Sequence, residues 1–298
     1  MASYCVCKQK NVMAEQPKRN EIESLIYLLD DPDPEVQNGV RNRFQELGEN
    51  AVPLLDQYRS ESIRESEKST INEIIYSITF GSILDEFAEL IEQGVNNRRQ
   101  LEDALLLLSK FGNPTLRVEE YRKKLDKLSS QIGSEIAYTP SMTEKMQIML
   151  QYVFRELRFR GDAKDYHSAD NAYLDRVIDR RKGLPIMLSA VVMFLARRLG
   201  LPFFGVNMPI HFMLMYKIHD REILIDPFDS GSIVTYNQCC YFLKKNGIEP
   251  RPKHLQKADE SETLKRCLRN LMNAYAKAKD QSRVKDLQQL LYIAEKSL

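Results

Sequence analysis

The chain has 298 residues, of which 43% are hydrophobic and 29% charged, a composition typical of a globular protein long enough for two compact units. Its 43 basic and 42 acidic residues leave a net charge of +1, so bulk charge gives no reason to expect nucleic acid or an anionic membrane as a partner. The longest apolar run, Ile186 to Ala196, is too short to span a bilayer, and residues 1–20 lack the apolar stretch of a signal peptide. These features predict a cytoplasmic protein with no membrane partner.

The five cysteines do not have the number or spacing of a disulfide framework. Cys5 and Cys7 lie in residues 1–19, which we predict to be a mobile tail, and two cysteines without a second pair of ligands are a weak metal signal. Cys239 and Cys240 are adjacent and cannot easily bridge each other. The four histidines are dispersed without ligand spacing, so we predict no metal and no cofactor.

Residues 20–130 show helical spacing of apolar residues almost throughout. Asp33 is a suitable N-cap, Pro34 a suitable first helical residue, and Gly48 a suitable stop. The stretch DPDPEVQNGVRNRFQELGENAVPLL resembles a HEAT-type helical hairpin, which cannot bury its apolar face alone and must stack on other helices. We therefore predict a helical, HEAT-like N-terminal part.

Residues 129–142 contain Ser, Gly, Thr and Pro and are the best candidate for a linker, with Thr143 capping the helix that follows. The next segment, residues 143–260, is expected to form a core of its own. Two further helices over residues 261–298 resemble one tetratricopeptide-like hairpin, whose expected role is to pack against that core.

Within the core, a long apolar helix begins after Gly183, and the hydrophobic period then changes from helical to two. The period-two segments predict three strands, at residues 203–206, 211–216 and 222–226, the last two forming an antiparallel hairpin. Thr235 and Gln238 have the spacing of a capping box that starts a further helix. The whole pattern predicts an α+β fold with a small antiparallel sheet.

The order of these elements resembles the core of the transglutaminase-like superfamily. The helix after Gly183 ends at Gly200, a strand follows with His211, and the next strand ends with Asp226 before a proline. In that superfamily a cysteine at the helix start is the nucleophile, the histidine moves its proton, and the aspartate fixes the histidine tautomer. Counting two residues from Gly183 places Pro185 at the nucleophile position, and the chain has no cysteine between Cys7 and Cys239.

The resemblance is more specific than these three positions. The stretches LEDALLLLSKFGNP, ELRFRGDAKDYHSADNAYLDRVIDRRKGLPIMLSAVVMFLARRLGLPFFGVNMPIHFML, ILIDPFDSG and LKRCLRNLMNAYAKAKDQSRVKDLQQLL are similar to the SirB-type subgroup and together run from about Leu101 to Leu291. That subgroup typically lacks the catalytic cysteine, and some eukaryotic F-box proteins carry a related domain. The resemblance therefore implies binding of a protein or peptide in place of bond breaking.

Three further residues match the subgroup motif and would flank a cleft at the helix start, so they join Pro185 as candidate binding residues. They are Asn171, Tyr173 and Arg181. A structural interpretation stands beside each: Asn171 caps a helix, Tyr173 packs beneath it, and Arg181 pairs with a carboxylate such as Asp175 or Asp179.

Three functions remain open from the sequence. The first is a non-catalytic module whose cleft lies between the Pro185 helix and the His211 and Asp226 strands. The second is a hydrolase or acyltransferase that uses Ser189, one helical turn after Pro185, with the His211 and Asp226 pair, or that uses His211 as a base on water. A serine within a helix more often donates to its own i−4 carbonyl. Cys239 or Cys240 is a weaker substitute nucleophile. The third is a helical-repeat scaffold with a purely architectural core. For His211 and Asp226 themselves, we favour a structural pair over a catalytic one.

Overall fold

The computed structural model describes residues 19–296, so Cys5, Cys7 and the predicted tail up to residue 18 lie outside the described residues. Contacts between Cα atoms divide the chain into two compact units. The first runs up to Ser82 and includes Asn113–Thr115, and the second contains Ile83–Gly112 and the chain from Leu116 onward. The four domain boundaries expected from the sequence stay predictions. The predicted α+β fold is confirmed.

The first unit is helical. Its helices are α1 (Arg19–Tyr27), α2 (Pro34–Leu47), α3 (Val52–Glu61) and the first part of α4 (Glu65–Glu92). The carboxylate of Asp33 accepts a hydrogen bond of 2.8 Å from the amide of Glu35, and Pro34 is the first helical residue, as predicted. Gly48, with φ of +55°, ends α2. Phe44 and Leu55 are fully enclosed in its apolar core.

The second unit contains the sheet and the remaining helices. The helices are α5 (Arg98–Gly112), α6 (Val118–Ile136), α7 (Met142–Gln151), α8 (Leu174–Arg180), α9 (Pro185–Arg198), α10 (Tyr236–Lys245), α11 (Glu260–Lys277) and α12 (Gln281–Lys296). The strands are β1 (Arg160–Gly161), β2 (Lys182–Gly183), β3 (Phe203–Val206), β4 (Met213–Ile218), β5 (Arg221–Asp226) and β6 (Ser232–Val234).

Helix α9 is the centre of this unit, because every residue from Pro185 to Ala196 is buried. It packs against α5, α6, α8, α11, β3 and β4. Burying one large apolar side chain stabilises a protein by about 1.5–3 kcal/mol, so the continuous apolar run that the sequence shows is explained by packing on all sides. The helix therefore holds its first residue at a fixed place in the unit.

The main sheet is an antiparallel meander in the order β3-β4-β5-β6. Its register pairs Phe204 with Met215 and Leu214 with Ile225. The three predicted strands are present, but β4 begins at Met213, so the expectation that His211 lies on the strand is wrong. Ile210 has a φ of +59°, which takes the chain out of the extended conformation just before His211. Strand β6 and the parallel pair β1–β2 carried too few residues to be predicted.

The linker predicted over residues 129–142 is largely wrong, because α6 continues to Ile136. Leu125, Leu128 and Ile132 keep an apolar stripe at helical spacing. The hydroxyl of Ser129 donates to the carbonyl of Leu125 at 2.8 Å. This bond lets a serine, which often favours loops, stay inside a helix with its hydroxyl hydrogen-bonded. The cap of α7 is Ser141 and not the predicted Thr143.

The C-terminal pair of helices is confirmed, with α11 and α12 packed along each other. Their tetratricopeptide-like character stays a prediction, as does the HEAT-like character of the first unit. Across residues 19–296, no helix combines the length and the apolar composition needed to cross a membrane.

Candidate functional site

The start of α9 is fixed by its neighbours in sequence and in space. Leu184 is the N-cap, Pro185 is the first helical residue, and Pro185 is buried. The amide of Leu184 donates to the carbonyl of Asn171 at 2.9 Å. A Cβ at Gly183 would lie 2.7 Å from a methyl group of Val177, so only glycine allows this approach. The position that corresponds to the nucleophile of the transglutaminase-like superfamily is thus the buried first residue of α9, which is a proline.

His211 and Asp226 lie side by side on neighbouring segments. The Nε2 atom of His211 is 2.9 Å from Oδ1 of Asp226, and their side chains are 18% and 21% exposed. Oδ1 of Asp226 also accepts hydrogen bonds from the amides of Phe228 at 2.9 Å and Asp229 at 3.3 Å. One carboxylate oxygen therefore holds both the imidazole and the turn that follows β5.

Burial by itself would raise the pKa of the Asp226 carboxyl group. The hydrogen bond and the charge of His211, together with the amides of Phe228 and Asp229, outweigh burial and lower this pKa below its ordinary value. Asp226 is therefore ionised at neutral pH and fixes the orientation of the imidazole.

The residue before His211 has an unusual backbone. Ile210 is a β-branched residue in the left-handed region, with φ of +59°, and its side chain is exposed. This conformation costs an L-residue about 1–2 kcal/mol, and such strain persists where the surroundings hold it in place. The direction of the His211 side chain toward Asp226 is therefore set by this turn and not by the alternation of side chains along a strand.

Aromatic rings enclose His211 on two sides. We call Tyr166, Phe228, His211 and Phe242 the aromatic row, because each ring contacts the next edge to face. The ring centroids are 5.7 Å apart for Tyr166 and Phe228, 6.3 Å for Phe228 and His211, and 5.7 Å for His211 and Phe242. The ring of Phe228 occupies the space that a side chain at Gly161 would need. The imidazole thus lies within a wall of rings, not in an open polar cleft.

The two ends of the row reach the surface. Tyr166 and Phe242 are 37% and 36% exposed, and Ile210 and Tyr241 add exposed apolar area beside them. Helix α10 brings Phe242 to His211 because the capping box of Thr235 and Gln238 starts that helix directly after β6. The predicted capping box is confirmed, with the Gln238 amide 3.3 Å from the Thr235 hydroxyl.

Asn171 is fully buried in the loop before α8, where its polar groups hold the backbone together. Its amide nitrogen donates to the carbonyl of Asp165 at 2.6 Å, and its side-chain oxygen accepts from Arg180 at 3.2 Å. The expected side-chain cap of α8 is not formed, because Tyr173 is the N-cap and makes no side-chain capping bond. Asn171 still fixes the start of α9 through its carbonyl.

Tyr173 and Arg181 also have structural surroundings. The hydroxyl of Tyr173 is 2.9 Å from that of Tyr275 on α11, and its ring is buried. Arg181 ends α8 with φ of +59°, and its guanidinium lies 4.6 Å over the ring of Phe159. Burial lowers the pKa of Arg181, against the opposing charge of Asp179. Within residues 19–296 it forms no ion pair, so the expected pairing with Asp175 or Asp179 is wrong.

The substitute nucleophiles are poorly placed for chemistry. Ser189 is completely buried, and its hydroxyl has no hydrogen-bond partner in the described part of the chain, so the expected bond to its i−4 carbonyl is absent. Cys239 is buried among apolar side chains such as Met213 and Leu243. Burial, followed by Cys240 and the charge of Asp226, raises the pKa of the Cys239 thiol, which keeps it protonated and unreactive.

Sequence reasoning missed the aromatic row. Phe228 stands two residues after Asp226, and this short spacing was the available signal that it would share the turn. Phe242 and Tyr166 come from segments that are distant in sequence, so nothing local indicated that they would converge on His211. In residues 19–296, no group of three or more His, Cys, Asp or Glu side chains is close enough to hold a metal ion.

The site combines the buried start of α9, where Pro185 stands, with a partly exposed His–Asp pair whose histidine precedes β4 and whose aspartate ends β5. Residues 119–269 match the model of the transglutaminase-like superfamily, which is more than half of the chain. The chain belongs to this superfamily.

The relatives include bacterial and animal proteins. A UPF0162 protein of Vibrio cholerae is 26% identical over 59% of this chain and 66% of its own length, and one of Xylella fastidiosa is 29% identical over 59% and 65%. F-box only protein 21 of Homo sapiens is 28% identical over 57% of this chain and 32% of its own length. The matched segment thus spans slightly less than two thirds of these bacterial relatives. No solved structure matches the chain.

Proposed function

We propose that this protein is a non-catalytic member of the transglutaminase-like superfamily that binds a protein or peptide partner at the surface formed by the aromatic row. The observation that carries the proposal is the His211–Asp226 pair, which remains hydrogen-bonded and partly exposed although Pro185 stands at the nucleophile position. Half-exposed aromatic rings beside a polar pair are the surface composition that protein partners recognise.

The surroundings of the alternative nucleophiles support binding over catalysis. A nucleophile needs a base within hydrogen-bond reach and access to substrate. The Ser189 hydroxyl is inaccessible and bonded to no described residue, and the thiol of Cys239 is held protonated. We expect active-site probes for serine hydrolases to leave Ser189 unlabelled.

The similarity to a segment of F-box only protein 21 supports the same direction, since the sequence resemblance to F-box proteins favoured binding over bond breaking. We further propose that the chain falls in the SirB-type subgroup, with a HEAT-like N-terminal part over residues 20–130 and a tetratricopeptide-like hairpin over residues 261–298. We propose that it acts in the cytoplasm.

Site-specific photo-crosslinking tests the proposal. A benzophenone amino acid replaces Tyr241, which is exposed beside Phe242 on α10, and in a second protein it replaces Tyr138, which is 98% exposed outside the row. We expect a discrete crosslinked species in cells from position 241 that position 138 does not give. The species should decrease at least about fivefold when His211→Ala or Phe242→Ala is added, the effect of losing one interface anchor.

Two outcomes would contradict this function. One is an identical set of crosslinks from both positions, which would show only nonspecific proximity. The other is hydrolase or acyl-transfer turnover by the purified chain that His211→Ala abolishes, since that would assign the pair to chemistry.

A further inference from the structure

A cavity lies beside the start of α9 and shares Tyr166 with the aromatic row. Its volume is about 430 Å3, within the range of about 300–1,000 Å3 typical of small-molecule sites. It is lined by Tyr166, His167, Ser168, Leu184, Asn270, Asn273, Ala274, Ala276 and Lys277. Leu184 is the residue before Pro185, so the cavity adjoins the same helix start without sharing the His211–Asp226 pair.

The wall from α11 has a pattern set by helical spacing. Asn270, Asn273 and Lys277 stand at positions i, i+3 and i+7, so they face the cavity together. Ala274 and Ala276 are small and leave the space between these longer side chains open. A helix thus presents two amides and one ammonium group to a single cavity.

The polar groups of the cavity are donors with unused capacity. Neither the Asn270 nor the Asn273 side chain makes a hydrogen bond to another residue in the range 19–296. The Lys277 ammonium group lies 2.5 Å from Nε2 of His167, and an ammonium group has three hydrogens, so two remain for a ligand. Burial, opposed by the charge of Arg266, raises the pKa of Tyr166, so its phenol also remains a donor.

The charge of the lining has one sign. Lys277 contributes a positive charge, whereas the lining residues from the described chain include no aspartate or glutamate. A ligand that accepts hydrogen bonds and carries one negative charge matches this set. Phosphate groups are often held by arginine forks, and no arginine lines this cavity. The helix start that adjoins it, α9, begins with Pro185, which has no amide hydrogen to donate to a phosphate.

We propose that this cavity binds a carboxylate, with Lys277 as the charged contact and Asn270, Asn273 and Tyr166 as neutral donors. The carboxylate can come from a small free acid or from the C-terminus of a peptide. The inference goes beyond the proposed partner surface, because its residues and its ligand chemistry are different apart from the shared wall of Tyr166.

Amide chemical shifts of the full chain in a titration provide the test. The probes are N-acetylglycine, which carries the carboxylate, and N-acetylglycinamide, which has the same shape without the charge. We expect saturable shifts with N-acetylglycine that centre on residues 166–168 and 270–277, and no saturable shift there with the amide. Lys277→Gln should weaken binding about fivefold or more, as expected for loss of a charge-assisted hydrogen bond, and should leave the fold intact because Lys277 is exposed.

The matched control is Lys285→Gln, an exposed lysine on α12 that does not line the cavity. It should bind N-acetylglycine as the wild type does. Equal binding of the acid and the amide, stronger binding of inorganic phosphate, unchanged affinity in Lys277→Gln, or no saturable shift with N-acetylglycine would each overturn the proposal.

A third probe separates the two sources of the carboxylate. N-acetyl-triglycine extends the ligand as a peptide chain would. Tighter binding than N-acetylglycine supports a peptide C-terminus, and equal binding supports a small free acid.

Discussion

At the scale of single residues, Asp226 has the largest role in the site. Its Oδ1 atom accepts hydrogen bonds from the His211 imidazole and from two backbone amides, so it fixes both His211 and the turn that carries Phe228. This network has a structural task, because it joins the end of β5 to the segment before β4 and to the turn that follows. The pair also holds His211 between Phe228 and Phe242 at the centre of the aromatic row.

The lowered pKa of Asp226 predicts a dependence of stability on pH. Its folded pKa lies below the ordinary value of 3.8, so the ionised group stabilises the fold above that value and this contribution is lost as pH falls through the folded pKa. At pH 7 we expect Asp226→Asn to lower the free energy of unfolding by about 1–2 kcal/mol, with the difference from wild type shrinking toward pH 2–3. Urea denaturation across this range measures it.

The control for this prediction is Asp220→Asn, a change at an exposed carboxylate in the turn between β4 and β5. It should preserve the wild-type pH dependence. If Asp226→Asn loses stability on acidification as steeply as the wild type does, the assigned role of its ionised form is wrong.

At the scale of elements, the position of α9 depends on its two ends. The start is fixed by Leu184 and buried Pro185, and the end by a buried carboxylate, Glu102 of α5. Glu102 accepts hydrogen bonds from Arg198 at 2.6 and 2.8 Å and from Arg197 at 3.1 Å. This bidentate contact ties α5 to α9 in the centre of the unit.

The ion pairs of Glu102 predict a large effect of one substitution. Glu102→Gln leaves two arginines beside a neutral amide, and because both arginines keep some exposure we expect a loss of about 2–4 kcal/mol in the free energy of unfolding. Chemical denaturation measures this loss. Asp126→Asn, which removes the exposed carboxylate that also contacts Arg198, should cost no more than about 1 kcal/mol. Equal losses in the two variants would show that Glu102 is not the anchor of α9.

The elements also show what the sequence could predict. Caps and apolar periods placed α2, α9, α10 and most of the sheet, because these signals act within a few residues. The sequence predicted too early an end for α6, because serines usually favour loops. In the structure these serines donate to their own i−4 carbonyls and the helix continues. Strand β6 is three residues long, too short for a period to be recognised.

Long-range contacts limited the prediction of the site. His211 and Asp226 could be placed together because hairpin strands set their register, although the left-handed Ile210 moved His211 off the strand. Phe242 contacts His211, and Tyr166 contacts Phe228, only through the packing of α10 and of the loop before α8. The cavity at Lys277 depends on α11 returning to the start of α9, which no local pattern encodes.

At the scale of the whole molecule, we propose a superfamily core that keeps a His–Asp pair in the same unit as a buried helix start and uses the surface around the pair for recognition. The helix start is buried, the His–Asp pair is hydrogen-bonded, and Tyr166 and Phe242 at the ends of the aromatic row are partly exposed. The relatives with the same segment come from bacteria and animals, and in F-box only protein 21 that segment is about one third of the chain.

The affinity of the purified chain for the partner identified by crosslinking at position 241 tests this claim most directly. We predict that Phe242→Ala weakens binding about tenfold or more, the loss typical of an aromatic anchor, while Tyr138→Ala leaves the dissociation constant unchanged. Thermal unfolding of both variants checks that they remain folded. An unchanged dissociation constant in Phe242→Ala, or covalent turnover of the partner by the wild type, would contradict the account.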